Sequence, residues 1–210
     1  MEKLTLEQIQ TIIKTMADTA IENEKRFSDL DGVMGDADFG TSIAGGYRAV
    51  LAEWGGYDMS SIGSFLLNVA KTWTANTGGC SGPVWGTLFM RCGMAFRGKT
   101  EVGVDEAIPA LKNAMDGIMQ RGGAKLGDKT MLDAIDAIVK SFEGSVAADE
   151  PLMDTLKKAA DAAYEMRETT KDWVAMRGRQ SFTGDRSRGT YDPGIVAVGD
   201  FANAIVAALS

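Results

Sequence analysis

Four clusters of glycine interrupt a chain otherwise patterned in the helical period, and their placement restricts its possible folds more than any other feature. Between the clusters, apolar residues recur at steps of three and four, proline is held to four residues, and the apolar–polar alternation of strands is missing. Thr5 and Gln8 resemble a capping box, after which Ile9, Ile12, Ile13, Met16 and Ala20 mark one face of a helix over 5–27. Further helices are expected over 41–54, 60–76, 82–97, 104–121, 129–145, 150–176 and 193–209. Ile108, Leu111, Met115 and Ile118 form one buried stripe, and Met131, Ala134, Ile135 and Ile138 another. The expectation is an all-α domain spanning 1–210, an eight-helix antiparallel up-and-down bundle or barrel.

The 25 glycines exceed what helix-to-helix turns require, and many gather in Asp31–Gly40, Gly78–Gly86, Gly122–Thr130 and Gly178–Gly194. These breaks follow the first, third, fifth and seventh predicted helices. In an up-and-down arrangement such connections lie at the same end, so all four should converge on a single rim.

Composition narrows the chemistry available there. Lys and Arg total 22 against 29 Asp and Glu, a net charge of −7, which disfavours a nucleic-acid partner; a small anion is compatible if a divalent cation supplies positive charge. With no histidine, a Ser-His-Asp or Cys-His pair, a His-containing zinc site and a phosphohistidine are all excluded. Cys80 and Cys92 make neither a metal quartet nor a disulfide framework, and reduced thiols in a cytoplasmic protein are expected. No signal peptide or membrane span is visible.

The first break places Asp31, Asp36 and Asp38 within eight residues, among glycines that let backbone fold round a centre. Like charges this close call for a cation or a set of donors, and an oxygen-only set suits Mg²⁺; the spacing does not fit an EF-hand. The alternative is a solvated acidic turn with Asp38 as an N-cap. In the second break, Gly78-Gly79-Cys80-Ser81-Gly82-Pro83 enters a helix whose free N–H groups suit phosphate, or simply starts an ordinary helix with Pro83 in its first turn. It lacks the Gly-Lys-Ser/Thr ending of a Walker A loop. Gly127-Asp128-Lys129-Thr130 reads as an N-cap through Asp128, and the fourth break concentrates Arg177, Arg179, Arg186 and Arg188. Carboxylates, a phosphate-type helix start and arginines on one rim together suggest a magnesium–nucleotide site.

Over essentially its whole length the chain resembles the nucleotide-binding L subunit of dihydroxyacetone kinases and the homologous domain of single-chain members. The markers are Gly35-Asp36-Ala37-Asp38-Phe39-Gly40, Gly78-Gly79-Cys80-Ser81-Gly82-Pro83, Gly127-Asp128-Lys129-Thr130-Met131 and the segment ending in Asp192-Pro193-Gly194. The resemblance implies an eight-helix barrel with ADP or ATP at one end and two Mg²⁺ ions held by Asp31, Asp36 and Asp38. It further implies that Phe39, Gly40, Thr41 and Ser42 line the nucleotide, with Cys80 and Ser81 by the phosphates and metal and with Gly122 and Met131 flanking the site. Arg179, in the catalytic role, and Asp192, Pro193 and Gly194 complete it. Many members carry His or another polar residue in place of Phe39, and Asn in place of Ser42.

In that family a separate K subunit or domain holds the ketose covalently through a histidine. The implied function is therefore the phosphoryl-donor half of a kinase acting on dihydroxyacetone or another short ketose, active on docking to its partner. The donor is either exchanging ATP, or resident ADP rephosphorylated by a phosphohistidine protein of the phosphotransferase system. A homodimer is left open. The competing reading is a regulatory module of the same fold that senses nucleotide without transferring phosphate.

Overall fold

The computed structural model describes residues 2–210. Among them are nine α-helices: α1 (Leu6–Glu22), α2 (Glu24–Gly32), α3 (Phe39–Glu53), α4 (Ile62–Asn76), α5 (Ser81–Ala95), α6 (Val104–Gly122), α7 (Met131–Ala147), α8 (Leu152–Thr169) and α9 (Pro193–Leu209). From α3 onward each helix packs against the next, and α9 returns to α1, which also meets α3, so the helices close into a ring. Neighbours joined by short connections must run antiparallel, which makes this an all-α up-and-down barrel.

The ninth helix arises where one was expected over 5–27. Asn23 ends α1, its side-chain amide bonding the Thr19 carbonyl at 2.9 Å in competition with the backbone ladder. The chain restarts as α2 and stays helical to Gly32, which puts Asp31 on a helix rather than in a loop. At the other end, α8 stops at Thr169 instead of running to 176, because the carbonyls beyond it are taken by Lys129 from another part of the chain. Two-residue strands β1 (Leu4–Thr5) and β2 (Glu101–Val102), absent from the sequence reading, pair antiparallel ahead of α1 and α6.

The Thr5–Gln8 capping box is present. The start of α7 departs from expectation: Thr130 caps it, accepting from Leu132 N–H, while the Asp133 carboxylate accepts the Thr130 N–H at 2.8 Å. Asp128, released from capping, is buried and bonds elsewhere.

Met115, Ile118, Met131, Ala134 and Ile135 from the two predicted stripes are buried, with Ile108, Leu111 and Ile138 half-buried at their edges. Beneath the rim lies an aromatic cluster in which Tyr47 and Trp73 meet edge-on at 4.8 Å and Phe201 contacts Phe27, Tyr47 and Trp85. Lower down, the barrel is hollow: a cavity of about 290 Å³ with no polar lining is bounded by Ile12, Met16, Leu88, Phe89 and Ile135, among others.

Candidate metal and nucleotide site

The carboxylates of Asp31, Asp36 and Asp38 each place an oxygen within 4.8 Å of the others. Local backbone geometry brings them together. Asp31 is buried in the last turn of α2, and its Oδ2 accepts the N–H of Asp38 at 3.0 Å and of Phe39 at 3.3 Å, so the start of α3 is folded over that carboxylate. Gly35 makes the wrap possible, since a Cβ there would collide with the Asp31 carboxylate and carbonyl. Ala37 turns the chain with φ +62°, which leaves Asp36 and Asp38 exposed on either side.

Asp38 precedes α3 but makes no side-chain capping bond. Its carboxylate is therefore available: Asp38 holds the exposed N-cap position of the alternative reading without the capping bond. Burial and the neighbouring charges of Asp36 and Asp31 raise its pKa, with Arg179 pulling the other way. The Arg179 guanidinium meets Asp36 with Nε 3.0 Å from Oδ2. Of the four arginines in that break, Arg177 pairs with Asp128 and Arg188 with Asp185, while Arg186 reaches only the Thr183 carbonyl. Arg179 alone reaches the carboxylate cluster.

The other breaks close on the same rim. Cys80 stands at the start of α5, which has no side-chain cap, and Ser81 is the first residue of that helix. Partial burial, together with Asp38, Asp31 and Asp192, holds the Cys80 thiol above its ordinary pKa, which places this helix start beside the first and fourth breaks. Asp192 caps α9, its Oδ1 accepting Ile195 N–H at 2.9 Å, and Pro193 opens the helix. Gly194 faces the Cβ of Met131 at the start of α7. Gly122 ends α6, exposed, with Gly123 in the left-handed region behind it.

Phe39 is half-buried, and its ring packs edge-on against Phe27 at 6.1 Å, leaving its backbone N–H on Asp31. Gly40 is buried against α2, Thr41 is exposed and Ser42 half-buried in the first turn of α3. Sequence reasoning missed the joint between the third and fourth breaks. Asp128 Oδ2 accepts from Lys125 N–H and from Arg177 Nε, its carbonyl accepts Met176 N–H, and the Lys129 ammonium reaches three carbonyls of the α8–α9 loop. Lys129 lies within the Gly127–Met131 marker, but nothing in its periodicity or its neighbours sets its side chain apart from a solvated one.

The DAK2 domain model matches residues 33–207. The chain belongs to the DAK2-domain family. This DAK2-domain chain is 30% identical over 195 residues to the Escherichia coli protein named PEP-dependent dihydroxyacetone kinase, ADP-binding subunit DhaL, covering 93% of each. It is 33% identical to the ADP-binding subunit DhaL of PEP-dependent dihydroxyacetone kinase 2 from Listeria innocua, covering 83% of this chain and 82% of that one. It is also 32% identical to L-erythrulose 1-kinase of Mycolicibacterium smegmatis, of which it covers only 33%. The crystal structure of the dihydroxyacetone kinase from C. freundii in complex with AMP-PNP and Mg²⁺ superposes with a TM-score of 0.73 at 20% identity, covering 98% of this chain and 34% of that one. That likeness establishes a shared fold. Among the described residues no helix is long and apolar enough to cross a membrane.

Proposed function

We propose that this chain is the nucleotide- and magnesium-binding subunit of a dihydroxyacetone-type kinase, donating a phosphoryl group to a short ketose held by a separate substrate-binding K subunit. The observation that carries the proposal is the trio of carboxylates within 4.8 Å, one of them paired with Arg179, on the rim where all four glycine-rich breaks meet.

The donor set fits a hard divalent cation: three carboxylates, no imidazole or thiolate among them, and at Asp38 a charge with no capping partner to offset it. Bound by Asp31, Asp36 and Asp38, magnesium supplies the positive charge that neutralises nucleotide phosphate oxygens. The chain's own residues do the rest. The uncapped start of α5 offers backbone N–H groups at Cys80 and Ser81 to a phosphate. Arg179 is the cation free to turn from Asp36 to the transferred group, where charge develops in an in-line displacement. In this reading Phe39, Gly40, Thr41, Ser42, Gly122, Met131 and the Asp192-Pro193-Gly194 turn are the residues that would border the nucleotide.

Exposed apolar side chains support docking at this end. Of six large ones exposed among the described residues, Val33, Leu126, Met176 and Phe182 lie on the rim loops, and Phe182 is 84% exposed. A partner seated there would exclude water from the phosphoryl group. With no histidine in this chain, covalent capture of the ketose falls to the partner. Two relatives are named as ADP-binding subunits of PEP-dependent kinases, which favours resident ADP recharged by a phosphohistidine protein over exchanging ATP.

Calorimetric titration of nucleotide-stripped protein with ADP tests the reading. Binding is expected in excess Mg²⁺ and lost in EDTA, and absence of binding with Mg²⁺ present would refute it. Mass analysis of gently purified protein then separates the donor schemes, with retained ADP indicating the resident-cofactor one.

A further inference from the structure

Lys129 is a buried cation that neither the α7 cap nor the carboxylate cluster uses. Its ammonium has three N–H groups, and three backbone carbonyls accept them: Lys171 at 3.0 Å, Trp173 at 3.2 Å and Ser187 at 2.8 Å. Two of these acceptors precede Arg179 in the chain and one follows it, so the side chain clasps both arms of the α8–α9 loop.

The same arms are tied to each other around this point. Gly189 N–H donates to the Lys171 carbonyl at 2.9 Å and Ala175 N–H to Ser187 Oγ at 2.9 Å, while within the second arm Thr190 Oγ1 donates to the Ser187 carbonyl at 2.6 Å. Next door, Asp128 holds the backbone N–H of Met176 and the side chain of Arg177. Arg179 follows two residues later and extends to Asp36. Lys129 itself sits at φ +61°, a region a lysine enters only at a cost and where glycine would be the easier residue. The position keeps a strained backbone and a buried charge together, and what both serve is the loop.

We infer that Lys129 is a positioning residue: its ammonium assembles the α8–α9 loop as an internal template and thereby sets where Arg179 meets the carboxylate cluster. The catalytic part of this inference rests on the role given to Arg179 in the proposed function; the loop-building part does not.

The test uses the full chain carrying Lys129→Met. Amide hydrogen exchange without ligand is expected to accelerate by at least about tenfold at Ala175, Met176 and Gly189, whose N–H groups are bonded within or onto this loop, while α4 and α5 keep their protection. With the substrate-binding partner present, kcat for phosphoryl transfer is expected to fall by about a hundredfold, with a smaller change in nucleotide KM. Lys129→Met combined with Arg179→Gln should be no worse than Arg179→Gln alone. Unchanged loop exchange, exchange raised equally across the whole chain, or additive losses in the double variant would overturn the inference. Should Lys129→Met fail to fold, Lys129→Gln, whose amide offers two N–H groups to the three carbonyls, is read out the same way. If wild-type protein transferred no phosphoryl group, the functional reading would fall, and the exchange data would still decide whether Lys129 builds the loop.

Discussion

Replacing Asp38 with asparagine should move apo stability and ligand stabilisation in opposite directions. In the ligand-free chain, Asp38 lies within 4.8 Å of two other carboxylates and has no capping bond to lose. At that separation, each repulsion is worth about 1 kcal/mol under water-like screening. After allowance for the opposing Arg179, Asp38→Asn should stabilise the apo protein by about 1 kcal/mol, or about 2–4 °C in Tm for a chain of this size. The sign agrees with the titration. Because the folded state raises the Asp38 pKa, ionised Asp38 costs the fold stability at all pH values above its folded pKa, and the cost vanishes below the ordinary value of 3.8. Ligand stabilisation behaves oppositely. ADP with Mg²⁺ at a hundred times Kd should stabilise wild type by about 2.7 kcal/mol, and a hundredfold weakening would leave about 0.4 kcal/mol at the same concentration. Thermal unfolding followed by circular dichroism in EDTA and in Mg²⁺ with ADP reads both quantities. A lower Tm in EDTA would show that the cluster is held by protein contacts alone, and an undiminished ligand shift would remove Asp38 from the metal site.

Burial pushes the Asp192 carboxyl up to about 7, although the Ile195 N–H and the Lys129 charge hold it partly down. The folded chain thus binds this proton more tightly than the unfolded one, so the contribution is fully present below the ordinary carboxylate value and is lost as pH rises through about 7. Asp192→Asn keeps a capping oxygen and removes the titration, so its Tm should gain on wild type between pH 5 and pH 8; parallel Tm profiles would contradict the burial. Phe182→Ala, at a side chain 84% exposed, should leave Tm within about 1–2 °C of wild type and lower partner-dependent turnover. Full turnover at limiting partner concentration would place the docking surface elsewhere.

Much of the barrel was legible because helix formation depends on near neighbours. The Thr5–Gln8 box, the stripes on α6 and α7, and Pro193 at the start of α9 are written within a few residues and appear as read. The errors fall where a side chain competes with the ladder or a distant residue intervenes. Asn23 divides the first helix through its amide, α8 stops short where Lys129 takes the following carbonyls, and Asp128 gives up capping because Thr130 does it while Arg177 claims the carboxylate.

The candidate site divides along the same line. Asp36 and Asp38 are close because only Ala37 separates them, and the alternate spacing of the glycine breaks was enough to put their loops at one end. Whether three carboxylates point at one another, however, depended on Asp31 being buried on α2 beneath the start of α3. Resemblance alone singled out Arg179; why that arginine of the four faces them, and which lysine holds its loop, depended on the barrel closing. Helical period and caps are short-range terms that a linear string contains, whereas the partner of a buried charge is chosen by whatever the packed helices leave beside it.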